Sequence, residues 1–205
     1  MIFPDLSHEF LLWQKGISLI AGLDEAGRGA WAGPVSAAAV ILSPAPDLVE
    51  RLKGVRDSKQ MTARQRTFWA GRIREVALAW GMGFASCQET DAAGILPATR
   101  LAMQRALDQL ELAPEYLLLD AVRLPAVDLP QTALIKGDCK VLSIAAASVL
   151  AKTERDRLML SLDNDFPGYG FARHKGYGTA VHRAALESLG PCAQHRMSFK
   201  PLAGL

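Results

Sequence analysis

Cysteine is scarce and poorly spaced: Cys87, Cys139 and Cys192 are odd in number and far apart. That excludes a disulfide framework and leaves no Cys-x-x-Cys half-site for zinc, so a reducing, cytoplasmic setting is expected. Long hydrophobic runs are also missing. The longest weakly polar stretches, 35–42 and 141–151, fall short of the roughly 18–20 residues that cross a bilayer. Residues 1–16 contain Asp5 and Glu9 and lack the basic start and small-residue cleavage site of a signal peptide. Neither an internal repeat nor a low-complexity tract is present. Large net charge is absent too, since the formal value is +2, and a polyanion partner does not follow from the total. The distribution is less even: residues 170–205 hold five Lys or Arg (Arg173, Lys175, Arg183, Arg196, Lys200) against the single acid Glu187, together with His174, His182 and His195. This segment is the expected electrostatic handle for a polyanion.

What is present suits one sizeable domain: 205 residues, half of them hydrophobic, with room for a small appendage but not for a second full domain. Residues 18–23 and 34–42 read as strands, the second a continuous run of small apolar residues expected of a buried strand. They are joined through glycines and are expected to pair antiparallel. Thr62 with Gln65 forms a capping-box pattern opening a helix that is expected to run to about Trp80. Strands at 81–87, 116–120 and 131–135 and helices at 95–110, 141–162 and 179–189 follow. The alternation implies an α/β domain with a mixed sheet.

The acids carry the chemistry. Asp24-Glu25 closes the first strand and is followed at once by Ala26-Gly27-Arg28-Gly29, where bare backbone lets a ligand approach. Asp120 ends the apolar run Leu117-Leu118-Leu119, where an unpaired charge is expensive. Asp138, in Lys136-Gly137-Asp138-Cys139-Lys140, precedes the long helix, whose positive end is expected to favour the charged carboxylate. An isolated Asp in such a place also serves as a turn former or cap. If these strand ends share one sheet edge, however, like charges at about 4 Å repel by roughly 4 kcal/mol at an effective dielectric near 20. They must then take up protons or recruit cations. An all-oxygen set without His or Cys favours a hard divalent ion, Mg²⁺ or Mn²⁺, over zinc.

The Asp24 to Gly29 block resembles the N-terminal signature of type 2 ribonuclease H, the bacterial ribonuclease HII family. The resemblance extends in order through Asp57-Ser58-Lys59, the Asp120 strand, Lys136-Gly137-Asp138, the segment from Ser143 to Lys152 with Arg155-Asp156-Arg157, His174-Lys175-Gly176-Tyr177-Gly178-Thr179, and His195 to Pro201. Gln60-Met61 stands where that family commonly has Lys-Leu. The resemblance implies a ribonuclease H-like mixed five-stranded sheet flanked by helices, with a catalytic domain over 1–168 and a basic helical subdomain over 169–205. It implies a monomeric endonuclease that cuts the RNA strand of RNA–DNA hybrids and incises duplex DNA 5′ to embedded ribonucleotides, leaving 3′-hydroxyl and 5′-phosphate ends. Asp24, Glu25, Asp120 and Asp138 would hold two ions roughly 3.5–4 Å apart for in-line attack by water. Gly27, Arg28, Gly29 and Tyr177 would read the 2′-hydroxyl, and Lys59, Lys152, Arg173, Lys175 and Arg196 would meet phosphates. Trp31 reads equally as a local plug or a sugar contact.

Two other classes are open on the residues alone. Gly27-x-Gly29-x-x-x-Gly33 after a strand suggests a dinucleotide turn, but that motif needs a helix to start at the glycines, whereas Pro34 and the run after it read as a strand. A non-catalytic nucleic-acid binding module would tolerate loss of an acid, and all four are present.

Overall fold

The computed structural model describes residues 3–203; Met1, Ile2, Gly204 and Leu205, the outer ends of the two terminal segments, lie outside it. In chain order the elements are α1 (Ser7–Trp13), β1 (Ile20–Ala26), β2 (Val35–Ile41), α2 (Leu48–Arg51), α3 (Ala63–Val76), β3 (Ala79–Ala85), α4 (Cys87–Ala93), α5 (Ile95–Asp108), β4 (Tyr116–Asp120), β5 (Gln131–Leu134), α6 (Leu142–Asp165), α7 (Phe171–His174) and α8 (Ala180–Leu189). The strands form one mixed sheet in the order β3-β2-β1-β4-β5. β1 pairs antiparallel with β2 and parallel with β4, as the α/β reading requires.

β2 is buried along its whole length because both faces of the sheet are covered. Its residues alternate between two cores, as a strand's period of two dictates. Ala38 and Val40 pack with α3 and α6, while Val35, Ala37, Ala39 and Ile41 pack with α5. Small side chains let both helices come close. On β1, a Cβ at Gly22 would lie 2.3 Å from the Ser143 backbone of α6, and on β3 a Cβ at Gly83 would lie 2.0 Å from the Ala102 carbonyl of α5.

Several boundaries differ from the sequence reading. The capping box of α3 forms as expected, with Thr62 and Gln65 each bonding the other's backbone, but the helix stops at Val76 rather than near Trp80. Ala79 and Trp80 pair instead with Ile41 and Val40 of β2. The strand read at 81–87 therefore starts at Ala79 and ends at Ala85, because Ser86 and Glu89 make a second capping box that opens α4. Helix α6 has no cap of its own; the Ser143 N–H donates to Glu9 of α1 at 2.9 Å. Burial pushes the Glu9 carboxyl up from its ordinary range.

The segment after α6 packs as a third core of Met159, Leu162, Tyr169, Phe171, Leu186 and Leu202 against Ala32. Its three histidines are inside this core, not on a charged face. His174 stacks on His182 with centroids 4.3 Å apart, and His182 Nε2 lies 3.0 Å from His195 Nε2. Burial holds His182 down to about 4 and also lowers His195. Arg196 is fully buried as well, which removes it from the exposed basic handle.

Replacing Gly83 by Ala is expected to destabilise the protein by about 1–3 kcal/mol through overpacking against α5. Gly71→Ala, at an exposed helix position with open space around it, should stabilise by about 0.5–1 kcal/mol; urea unfolding of both variants checks the contrast. The histidine core makes stability pH-dependent. An unfolded imidazole protonates near 6.5 and folded His182 near 4, so between those values the unfolded state binds more protons. The contribution is intact above pH 6.5 and is lost as pH falls toward 4, at no more than about 1.4 kcal/mol per pH unit. Subtracting the stability profile of His182→Gln from that of the parent should recover this slope; a flat difference would show that His182 does not titrate on unfolding.

Candidate active site

Strand alternation sorts the acids. Gly22, Asp24 and Ala26 share the face of β1 turned to α6, while Glu25 belongs to the opposite alternation. Continuing the parallel register Leu23↔Leu119 by one step sets Asp24 beside Asp120. Asp138 reaches the same place from the 3-10 turn Gly137–Cys139 ahead of α6. Oxygens of Asp24, Asp120 and Asp138 lie within 4.8 Å of one another, so residues more than a hundred positions apart in the chain converge.

Hydrogen bonds fix these carboxylates without neutralising them. Asp24 Oδ1 accepts from the Glu25 N–H at 2.7 Å, and Asp120 Oδ1 accepts from the Gly137 N–H at 2.7 Å. Burial drives the Asp24 carboxyl well above its ordinary range, and repulsion from Glu25 and Asp120 adds to the effect. Asp138 is raised by burial and then by Asp120 and Asp57; the expected help from the helix dipole does not decide its state, because α6 begins only at Leu142. Glu25 stands slightly apart. It pairs with Arg28 at 3.0 Å, is raised by burial against that restraint, and keeps Oε2 buried with no partner. Cys139 joins Asp57 and Asp138 in a second convergence, but burial raises its thiol and disfavours the thiolate that binds metal. The donor set with unmet demand is all oxygen, which fits a hard divalent cation.

A cleft of about 550 Å³ opens beside the acids, lined by Glu25, Ala26, Gly27, Arg28, Gly29, Ser58, Lys59, Ile95, Lys152, Tyr177 and Phe199. Of the residues expected to meet substrate, Arg173, Lys175 and Arg196 are not part of this lining; the Lys175 ammonium donates to the Ala172 carbonyl, and Arg196 is fully buried. Lys59 is 78% exposed with Nζ 3.9 Å from Asp138. Partial burial opposes its charge, yet Asp24, Asp57 and Asp138 raise its pKa. Lys152 is paired with Asp156 at 2.6 Å and lies 5.6 Å from the Tyr177 ring centroid. Tyr177 is 37% exposed. Ser58, Ile95 and Phe199 were not named as site residues from the sequence; Ser58 and Phe199 carried a signal, inside Asp57-Ser58-Lys59 and the His195 to Pro201 segment, and Ile95 carried none.

The two glycines of the first motif differ. Around Gly29 a Cβ would meet nothing, so its backbone is open, whereas at Gly27 (φ +91°) a Cβ would sit 1.9 Å from Arg155 Nε. Trp31 packs 5.4 Å from His182 and against Gly178, which makes it a plug. The glycine block leads into β2, not a helix, and the dinucleotide reading fails for want of a helix N-terminus. A larger depression of about 750 Å³ along the outer edge of β3 is lined by Arg74, Trp80, Glu154 and Arg157 among others. Its charges are already matched, with Arg74 2.6 Å and Arg157 3.0 Å from Glu154.

Comparison with known proteins agrees with this geometry. The family model of Ribonuclease HII matches residues 21–202. The Ribonuclease HII of Chloroflexus aurantiacus is 56% identical over 98% of this chain and 95% of that protein. That of Synechococcus sp. (strain JA-3-3Ab) is 55% identical over 100% and 92% respectively. Among solved structures, RNase HII of Archaeoglobus fulgidus, from its complex with PCNA, superposes with a TM-score of 0.74 at 29% identity, covering 89% of this chain and 95% of that one. Bst-RNase HIII, solved in complex with Mn²⁺, gives 0.69 at 20% identity, covering 90% and 68%, a likeness of fold.

Removing one charge from the acid cluster should relieve repulsion in the metal-free protein. Asp24→Asn is expected to raise stability without metal by about 0.5–2 kcal/mol. It should also abolish the rise in Tm that Mg²⁺ or Mn²⁺ gives the parent by binding only the folded state. Calorimetry with and without Mn²⁺ checks both, and an undiminished Mn²⁺ shift in the variant would remove Asp24 from the binding set.

Proposed function

The chain belongs to the ribonuclease HII family, metal-dependent endoribonucleases that act on RNA–DNA hybrids, and from that premise we propose how its own residues divide the work. Asp24, Glu25, Asp120 and Asp138 hold Mg²⁺ or Mn²⁺. Bound there, divalent ions lower the pKa of a coordinated water and neutralise charge on the departing 3′-oxygen. The observation that carries this reading is the convergence of the three aspartates within 4.8 Å beside a cleft walled by Gly27-Arg28-Gly29 and Tyr177.

The side chains themselves orient. The Gly137 and Glu25 N–H groups keep Asp120 and Asp24 from rotating away, and Arg28 holds one oxygen of Glu25 while leaving the other free. No protein nucleophile is needed, since water attacks the scissile phosphate in line and the products carry 3′-hydroxyl and 5′-phosphate ends.

Selection of RNA rests on the sugar, because the 2′-hydroxyl both donates and accepts. Among the described residues no acceptor meets the N–H groups of Arg28 and Gly29, which leaves two donors facing the cleft. Tyr177 forms the other wall, its ring near Lys152 and Arg155 of α6. Lys59 is the phosphate contact best placed beside the acids, with Lys152 and Lys175 supporting it further out. The substrate is then hybrid duplex or duplex DNA carrying a ribonucleotide, cut 5′ to that ribonucleotide.

Cutting of a fully hybrid duplex and of a duplex with one embedded ribonucleotide, in Mg²⁺ and in Mn²⁺, tests the reading. Both should be cleaved, the second at a single site. Tyr177→Ala should reduce preference for the ribonucleotide site about tenfold, the scale of one lost hydrogen bond. If Tyr177→Ala keeps parental preference, the tyrosine is structural only.

A further inference from the structure

We propose that Arg155 is a positioning residue for sugar recognition, its buried guanidinium setting the separation of the two cleft walls. The proposal rests on the assignment of Gly27-Arg28-Gly29 and Tyr177 to the ribose. Arg155 is 0% exposed and projects from α6 between the walls. Nη2 donates to Ala32 O at 3.0 Å and Nε to Pro34 O at 2.9 Å on one wall. Nη1 donates to Lys175 O at 2.9 Å on the other. The guanidinium carbon lies 5.5 Å from the Tyr177 ring centroid, and its Nε fills the space a Cβ of Gly27 would need. One planar group therefore touches both elements that face the sugar.

Arg196, equally buried, differs in reach. It donates to the carbonyls of Gly33 and Arg28 and so stiffens one wall without spanning the gap. Apart from that of Lys175, the carbonyls drawn inward by the two arginines belong to the same loop whose Arg28 and Gly29 N–H groups stay without acceptors. Among the described residues Arg155 has no carboxylate partner, and its charge is met by three carbonyl oxygens and a ring face. Packing alone would be served as well by an apolar side chain of similar volume. A rigid fork with donors in three directions is what fixes two segments relative to each other, and lysine cannot reproduce it.

The test compares Kd for a duplex with one ribonucleotide against the all-DNA duplex, in Ca²⁺ to prevent turnover, for the parent, Arg155→Lys and Tyr177→Ala. Arg155→Lys should lower this discrimination at least about tenfold, since displacements near 1 Å are felt on that scale or above. Its binding of all-DNA duplex and its Mn²⁺-induced Tm rise should stay parental, which loss of the fold would not allow. Parental discrimination in Arg155→Lys, with discrimination lost in Tyr177→Ala, overturns the role of Arg155 alone. Parental discrimination in Tyr177→Ala instead overturns the sugar assignment beneath it. Should Arg155→Lys fail to fold, Gly27→Ala presses on the same guanidinium from the loop. Amide exchange at Gly176 and Tyr177, on the far wall, should then accelerate at least about tenfold, and unchanged exchange there would refute the coupling.

Discussion

Backbone contact between β1 and α6 is the constraint from which the site follows. At Gly22 the helix lies so close that a Cβ would reach the Ser143 backbone, and this fixes helix position and register against the central strand together. The start of α6 then falls beside the turn that carries Asp138. Two turns on, Ser148 meets both Ser58 of the Asp57-Ser58-Lys59 turn and Asp24. Two further turns bring Arg155 beneath the glycine loop. A helix rises about 1.5 Å per residue, so the acids and the sugar-facing cleft are spaced by the pitch of one rigid element. Glu9, which caps that element from far away in sequence, belongs to the same device.

Two opposite electrostatic conflicts are built on this frame, separated along α6. At the acid end, carboxylates of one sign are brought together, and burial with mutual repulsion raises the pKa of Asp24 and Asp138. At the other end, Arg155 and Arg196 are buried and burial lowers the pKa of both; the neighbouring Arg155 adds to the effect on Arg196, which falls to about 10. Carbonyl oxygens resolve the second conflict internally. The first is met only in part, by Arg28 at Glu25 and by Lys59 3.9 Å from Asp138, and that asymmetry separates a site suited to a cation from one that is complete without it.

Legibility in the sequence followed whether a signal was local. The Thr62 cap, the small-apolar β2 run and the acids at strand ends all depend on near neighbours, and the structure puts them where the pattern indicates. The end of α3 was not legible, because residues 76–80, Val-Ala-Leu-Ala-Trp, carry no breaker and only pairing with β2 decides their state. α4 did have a signal, Ser86 with Glu89, masked by reading the strand through Cys87. Burial of His174, His182, His195 and Arg196 was invisible for another reason. Polar residues in a basic segment normally face solvent, and their acceptors here are main-chain carbonyls, which sequence does not display.

The C-terminal segment is therefore better understood as one wall of the cleft than as a charged handle. Burial lowers the pKa of His182 and His195, and the Arg196 charge is met by the carbonyls of Gly33 and Arg28. What reaches the cleft from this segment is Tyr177 and Phe199, and the turn that carries Tyr177 is bonded to the glycine loop through the Trp31 N–H and Gly176 carbonyl at 2.8 Å. Attraction to a polyanion falls with salt and does not distinguish one sugar from another, whereas two walls held at fixed separation do. In the proposed reading, exposed charge such as Lys59 governs how firmly a duplex is held, and the buried, charge-matched interior behind Tyr177 governs which sugar is accepted.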